Sequence, residues 1–283
     1  MWFFDILKAI VFGIVEGITE WLPVSSTGHI ILLDSIMPLK HGASFYELFE
    51  ILIQLGAIMA VIVLFFHKLN PFSPKKTPEQ KKSTWDLWFK VVVAVLPSAV
   101  IGILVDDPLD SFLKRTQILG TNLNTMVVAA MLILYGVVFI YLERDRRKFR
   151  IKSVNEIDYR TALMIGAFQC LSIIPGTSRS GATILGALLL GVSRPAGAEF
   201  SFFLAIPTML GASALKLLSF DGSMTGSEIM VLAVACIVSF VVSLLAIRKL
   251  MDYVRKHSFA VFGVYRIILG IVVIGYFFLR YIF

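Results

Sequence analysis

The sequence predicts an all-α polytopic membrane protein, and three observations carry that prediction. Hydrophobic residues make up 58% of the 283-residue chain, charged ones only 16%, and mean hydropathy is +0.85. Soluble chains run nearer a quarter charged. The apolar residues also fall in runs long enough to cross about 30 Å of hydrocarbon, which takes about 20 helical residues. Two polar, Gly- and Ser-rich stretches interrupt these runs, EGITEWLPVSSTGH (16–29) and PGTSRSGAT (175–183). Buried ionisable groups and non-helical backbone are costly in a bilayer, so both stretches read as functional.

Residues 5–22 are apolar but carry Glu16 and Glu20, then break at Pro23 and the Ser-Ser-Thr-Gly run. Residues 29–37 resume as a short apolar helix ending near Pro38. Each half is too short to span, so 5–38 reads as a re-entrant hairpin around a polar break. Residues 47–66 span, and a basic loop follows over 67–82. Residues 87–105 span with Pro97 as a kink. Asp106, Asp107 and Asp110 open an acidic loop, and 121–142 span again. Residues 159–174 then break at Pro175-Gly176, and 181–192 resume, which repeats the hairpin pattern. Residues 198–218, 228–248 and 258–281 complete six spans.

The net charge of +7 invites a nucleic-acid reading, but the basic residues do not cover a face. They gather between apolar segments, from Lys68 to Lys82, Arg144 to Lys152 and Arg248 to Lys256. Such clusters orient a membrane protein with those loops in the cytoplasm, and they suit anionic lipid. No nucleic-acid partner is expected. The N-terminal stretch, with Asp5 and Glu16 and no small-residue cleavage site, does not read as a signal peptide. Cys170 and Cys236 have apolar neighbours and no metal-like spacing, so they read as small buried hydrophobes.

The three basic loops share one side only if 5–38 enters and leaves from outside and 159–194 enters and leaves from inside. Both termini then lie outside. The chain becomes a single integral-membrane domain, 1–283, of two units. Repeat one is 1–142 with its hairpin at 5–38, and repeat two is 159–283 with its hairpin at 159–194. Each is a hairpin plus three spans, and because three is odd the second is upside down. That is an inverted-topology repeat with both tips near the midplane. A short match supports it, aligning Pro23 with Pro175 and Ser26 with Ser178.

Glu16 and Glu20, four residues apart, share a helix face within about 6 Å. Two such carboxylates repel at low dielectric, and a hard divalent cation, Mg²⁺ or Ca²⁺, resolves the repulsion. One of them staying protonated as a general acid is an alternative, and a solvated pair at a helix end is the bland one. Ser25, Ser26 and Thr27 supply hydroxyls and N–H groups where a new helix starts, a natural anion site at Gly28 and His29. Ser25 or Ser26 could act as nucleophile, with His29 as acid/base or Glu20 as base. A plain N-cap needs only one serine. In the second tip, Ser178, Arg179 and Ser180 open another helix, and the Arg179 fork fits phosphate. Gly176 and Gly181 let backbone approach a ligand, and Thr183 lies one turn on. Together these residues suit a phosphate or diphosphate and metal-assisted phosphoryl transfer to serine or water. A bilayer setting makes the substrate a lipid.

At these residues the chain resembles the undecaprenyl-pyrophosphate (undecaprenyl-diphosphate) phosphatases of bacteria, the bacitracin-resistance family. The resemblance rests on the two motifs above, continues in FEILIQLGAIMAV (49–61), FSFFLAIP (200–207) and YRIILG (265–270), and covers almost the whole chain. It implies an inner-membrane enzyme that removes one phosphate from undecaprenyl diphosphate, regenerating the lipid carrier for peptidoglycan and other wall polymers. It also implies dependence on a divalent cation, a site open to the extracytoplasmic side, and a homodimer. By position, Glu16 and Glu20 match the acidic pair, Ser26 the candidate nucleophile and His29 the acid/base. Arg179 with Ser178, Ser180 and Thr183 matches the phosphate-binding loop.

Competing readings are a lipid-phosphate transporter or flippase built on the same midplane site, a PAP2-like lipid phosphatase, and a scaffold for wall-synthesis enzymes. The PAP2-like plan needs a second His soon after its Ser-Arg motif, and none follows Ser178-Arg179 before His257. A scaffold accounts for none of the intramembrane charges. His41, His67 and His257 are expected in solvated loops or ends. Glu47, Glu50 and Gln54 are candidates to line the cavity from the third apolar segment.

Overall fold

The apolar runs fold into helices, and the polar breaks become the turns between them. In the computed structural model, which describes residues 2–39, 41–118, 121–144 and 149–282, α1 (Trp2–Thr19) turns over Glu20–Ser25 into α2 (Ser26–Ile36). Next come α3 (Ala43–Leu64), the single turn α4 (Phe66–Leu69), α5 (Pro78–Arg115) and α6 (Leu123–Arg144). The second half repeats the plan with α7 (Tyr159–Gln169), α8 (Arg179–Leu189), α9 (Arg194–Leu218), α10 (Gly226–Val254) and α11 (Ala260–Ile282). Among the described residues, six helices are long and apolar enough to cross a membrane: α3, the Pro78–Val105 part of α5, α6, α9, α10 and α11. The chain is a multi-pass, all-helical membrane protein.

Local chemistry sets the helix ends. A capping box opens α5, where Thr77 accepts from the Gln80 N–H and the Gln80 side chain accepts from the Thr77 N–H. Thr225 and Glu228 do the same for α10. Asp158 caps α7 through the Thr161 N–H at 2.7 Å. The acidic loop expected at Asp106, Asp107 and Asp110 is instead helix, because α5 continues through Pro108 to Arg115. Asp110 and Lys114 pair one turn apart at 2.8 Å, and Lys114 also faces Glu47 at 3.8 Å. After α5, Gln117–Ile118 pairs antiparallel with Thr121–Asn122.

The halves interlock. Helix α1 packs on α10 and α7 on α5, while α6 packs on α11 and α3 on α9. Exchanging α1, α2, α3, α5 and α6 with α7, α8, α9, α10 and α11 carries these pairings into one another. Small residues make the α1–α10 contact close: a Cβ on Gly13 would lie 2.7 Å from the Ala235 carbonyl oxygen, and one on Gly17 2.7 Å from that of Ser239. This small-xxx-small seam lets backbones meet where lipid offers no hydrophobic drive. Ser243 adds a hydrogen bond to the Gly17 carbonyl at 3.2 Å.

Ion pairs sort the helix ends into two groups. At one end, Lys68 pairs with Glu199, Arg194 with Glu143, and Tyr159 donates to Asp86 at 2.7 Å. The Glu143 carboxylate also accepts the Phe259 N–H at 3.0 Å. This end gathers 67–82, 248–257 and the described part of 143–158; Asp145, Arg146, Arg147 and Lys148 lie outside the described residues. At the other end, Lys216 meets Glu47 at 2.8 Å, Lys8 donates to the Pro38 carbonyl, and His41 lies between Asp5 and Glu228. The hairpin α1–α2 therefore opens at this second end. The hairpin α7–α8 opens at the basic end, where Arg150 N–H donates to the Gly191 carbonyl at 2.9 Å.

Candidate active site

The two tips meet inside the protein. Ser25 caps α2 with φ 70° and Ser178 caps α8 with φ 71°, and among the described residues they are the only non-glycine positions at positive φ. A side chain there costs about 1–2 kcal/mol, strain that a surrounding structure must enforce. The shared conformation makes Ser25 the counterpart of Ser178. It corrects the sequence alignment by one residue, because the second tip holds one residue more between its proline and its cap: Ser26 corresponds to Arg179, not to Ser178.

Those two first helical residues converge on one carboxylate. Ser26 Oγ donates to Glu20 Oε2 at 3.1 Å, and Arg179 Nη2 donates to Glu20 Oε1 at 3.2 Å. Arg179 Nη1 donates to the Ser201 carbonyl of α9 at 2.9 Å, while its buried Nε has no partner. One turn back along α1, Glu16 is 2% exposed and its Oε1 is also without a partner. An orphaned buried carboxylate oxygen beside a second carboxylate suits a hard cation. Among the described residues no third His, Cys, Asp or Glu completes a cluster.

Several of the residues expected at the ligand also have protein partners. Ser180 Oγ donates to the Glu20 backbone oxygen at 3.1 Å, tying one tip to the other, and Ser178 Oγ lies 3.1 Å from it. Ser178 also accepts the Gly181 N–H at 3.2 Å, a regular N-cap. Thr183, fully buried, is 2.6 Å from Ser201 Oγ and donates to the Arg179 carbonyl. It braces the backbone of the arginine. Gly176, at φ 87°, serves close approach to protein: a Cβ there would lie 2.6 Å from the Val128 backbone of α6. Thr27 is exposed at the start of α2, and Ser25 Oγ is buried without a partner.

His29 stands one turn beyond Ser26. Its Nδ1 lies 2.8 Å from the Ser25 carbonyl and its Nε2 2.7 Å from Tyr265 Oη. Of the two partners the sequence offered Ser26, Glu20 is the one hydrogen-bonded to it. Two further expectations change: His41 is wedged at 3.6 Å from Glu228 with its side chain 12% exposed, and Glu47 is a surface ion-pair partner. His67 and His257 are exposed as expected, and Cys170 and Cys236 are free thiols.

Sequence reasoning passed over Arg266. It is fully buried on α11 and donates to the carbonyls of Pro23 at 3.1 Å, Gly176 at 2.8 Å and Thr177 at 3.0 Å. It therefore clamps both tips at once, with its guanidinium 5.2 Å from the Tyr135 ring centroid. Gly181 leaves room for it, since a Cβ there would sit 3.0 Å from Arg266 Nη1. A signal existed: an arginine inside an apolar span is functional on the same grounds as Arg179.

The family model described as bacitracin resistance protein BacA matches residues 9–272. The chain is 54% identical over 275 residues to undecaprenyl-diphosphatase 1 of Clostridioides difficile (strain 630), spanning 97% of both proteins. It is 54% identical over 278 residues to the undecaprenyl-diphosphatase of Lactiplantibacillus plantarum, spanning 96% of this chain and 98% of that one. For the undecaprenyl-diphosphatase of Enterococcus faecalis the identity is 54% over 281 residues, 98% of this chain and 99% of the relative.

Proposed function

The chain belongs to the bacitracin resistance protein BacA family, and from that premise we propose that it hydrolyses undecaprenyl diphosphate to undecaprenyl phosphate and inorganic phosphate. The observation that carries the reading is the contact of Ser26 Oγ with the Glu20 carboxylate, itself held by Arg179 from the opposite tip. Recycling the lipid carrier for peptidoglycan, and with it bacitracin resistance, follows from that activity.

The N-termini of α2 and α8 and the spare Arg179 Nε–H receive the diphosphate oxygens. Ser26 Oγ attacks the terminal phosphorus as its proton passes to Glu20 Oε2. The bond from that phosphorus to the bridging oxygen breaks, and undecaprenyl phosphate leaves with the bridging electron pair and a proton from the His29 imidazolium, which regains one from Glu20 so that Glu20 is again a carboxylate. Water then attacks the phosphoserine, Glu20 takes its proton, and inorganic phosphate leaves as Ser26 recovers its hydrogen. Arg179 steadies the charge on the transferring group throughout. Glu16 and Glu20 would hold a divalent cation, Mg²⁺ or Ca²⁺, which supplies charge neutralisation of the phosphates.

The site is taken to open on the extracytoplasmic side of the bacterial inner membrane. The gathering of basic loops at the opposite end supports this. The exchange of helix pairings between the halves supports an inverted repeat. A homodimer, checked by crosslinking in native membranes, completes the reading.

The test is phosphate release from undecaprenyl diphosphate by purified protein in detergent, with Mg²⁺ or Ca²⁺ and then with EDTA. Release that stops with EDTA is expected. Release unaffected by chelation removes the cation from the mechanism. No release from folded protein would leave a transporter on the same site as the better account.

A further inference from the structure

Helix α2 presents His29 with both ring nitrogens engaged. Nδ1 lies 2.8 Å from the Ser25 carbonyl, which can only accept, so Nδ1 carries a proton. Nε2 lies 2.7 Å from Tyr265 Oη. The two rings are nearly parallel, with planes at 11° and centroids 5.6 Å apart. We propose that Tyr265 is a positioning residue for His29, a phenol that holds Nε2 in both protonation states of the imidazole. The inference rests on the phosphatase reading above.

The chemistry of the partner decides this. A carboxylate or carbonyl can only accept at Nε2 and would hold the imidazolium; a lysine or arginine can only donate and would hold the neutral ring. A phenol does either. Its O–H donates to the lone pair of neutral His29, and with a turn of the hydroxyl its oxygen accepts from Nε2–H of the charged form. Tyr265 therefore partners Nε2 before and after His29 gives its proton to the leaving phosphate, and the ring does not have to rotate between the two states. The fixed Nδ1–H to Ser25 anchors the ring at the cap that also opens the helix bearing Ser26.

The elements packed around α2 are α1, α6 and α11. Near the tip they bring Glu16 and Glu20 from α1, Tyr135 from α6, and Arg266 beside Tyr265 from α11. Arg179 approaches from α8. Among the described residues no carboxylate hydrogen-bonds to His29, and the buried cation of Arg266 opposes a second positive charge. The Tyr265 oxygen is then the group that accepts from imidazolium Nε2–H, so its removal weakens the charged form more than the neutral one.

The test compares pH profiles of kcat/KM for phosphate release between wild type and Tyr265→Phe. Phenylalanine keeps the ring stack and removes only the hydroxyl at a half-exposed site. The variant is expected to lose about tenfold in kcat/KM, the order of one hydrogen bond to a charged partner. The limb of the profile on which activity falls with rising pH is expected to move about one unit lower. In a His29→Gln background, Tyr265→Phe should produce no further loss in the residual rate. Superposable profiles, or the same fold-loss with and without His29, overturn the inference. Absence of release by the wild type sinks the phosphatase reading instead, so the two failures are distinct.

Discussion

Arg266→Met isolates the clamp between the two tips. Methionine fills much of the arginine volume without a donor, so the substitution leaves the carbonyls of Pro23, Gly176 and Thr177 without the bonds they now accept at 2.8–3.1 Å. Each such bond is worth about 1–2 kcal/mol where the alternative is an orphaned carbonyl in a dry interior, or about 3–6 kcal/mol in all. Removing the buried charge returns part of this, because a desolvated guanidinium is itself costly. The net stability loss is then about 1–3 kcal/mol. The effect on turnover is larger, since Pro23 and Gly176 precede the caps that aim Ser26 and Arg179 at Glu20. A shift of about 1 Å between reacting groups costs about a hundredfold. The assay is phosphate release alongside thermal unfolding in detergent, with Arg266→Lys as the companion variant. Lysine keeps the charge but not the fork, so it should fall between wild type and methionine. Turnover within tenfold of wild type for a folded Arg266→Met protein would refute the clamp.

Two other expectations are more local. Ser26→Ala should lower turnover about a thousandfold, or about 4 kcal/mol of barrier, if serine forms the covalent intermediate; a residual rate within about tenfold would favour direct attack by water. Gly176→Ala should lower the thermal midpoint by about 5–10 °C through its φ of 87° and its 2.6 Å approach to Val128. Gly211→Ala is the control, since a Cβ there meets nothing within 4 Å, and equal midpoints for the two variants would contradict the argument.

The spans were legible because hydropathy alone determines them, and the charge rule anticipated the end at which the basic loops gather. The tips were legible because Glu16, Glu20, Ser26 and Arg179 are costly residues in apolar surroundings. What escaped was decided by partners far along the chain. Asp106, Asp107 and Asp110 argue for a loop, yet the helix runs on to Arg115, and Lys114 in its last turn pairs with Asp110 and with Glu47 from α3. The partners of Thr183 and Ser180, Ser201 and the Glu20 backbone, lie 18 and 160 residues away in the chain. His29 sits beside Ser26 in sequence, and only the return of α11 gives it to Tyr265. Arg266 stands in a span that hydropathy passed without remark, because one charge scarcely changes a window average.

The seam between α1 and α10 bears on how the protein is made. Gly13 and Gly17 are shaped to a surface, Ala235 to Ser243, that the ribosome delivers only after most of the chain has been synthesised. The groups that complete the first tip, Arg179 on Glu20 and Arg266 on the Pro23 carbonyl, are likewise translated long after it. The acidic pair of α1 thus depends for its folded surroundings on residues from the second half of the chain.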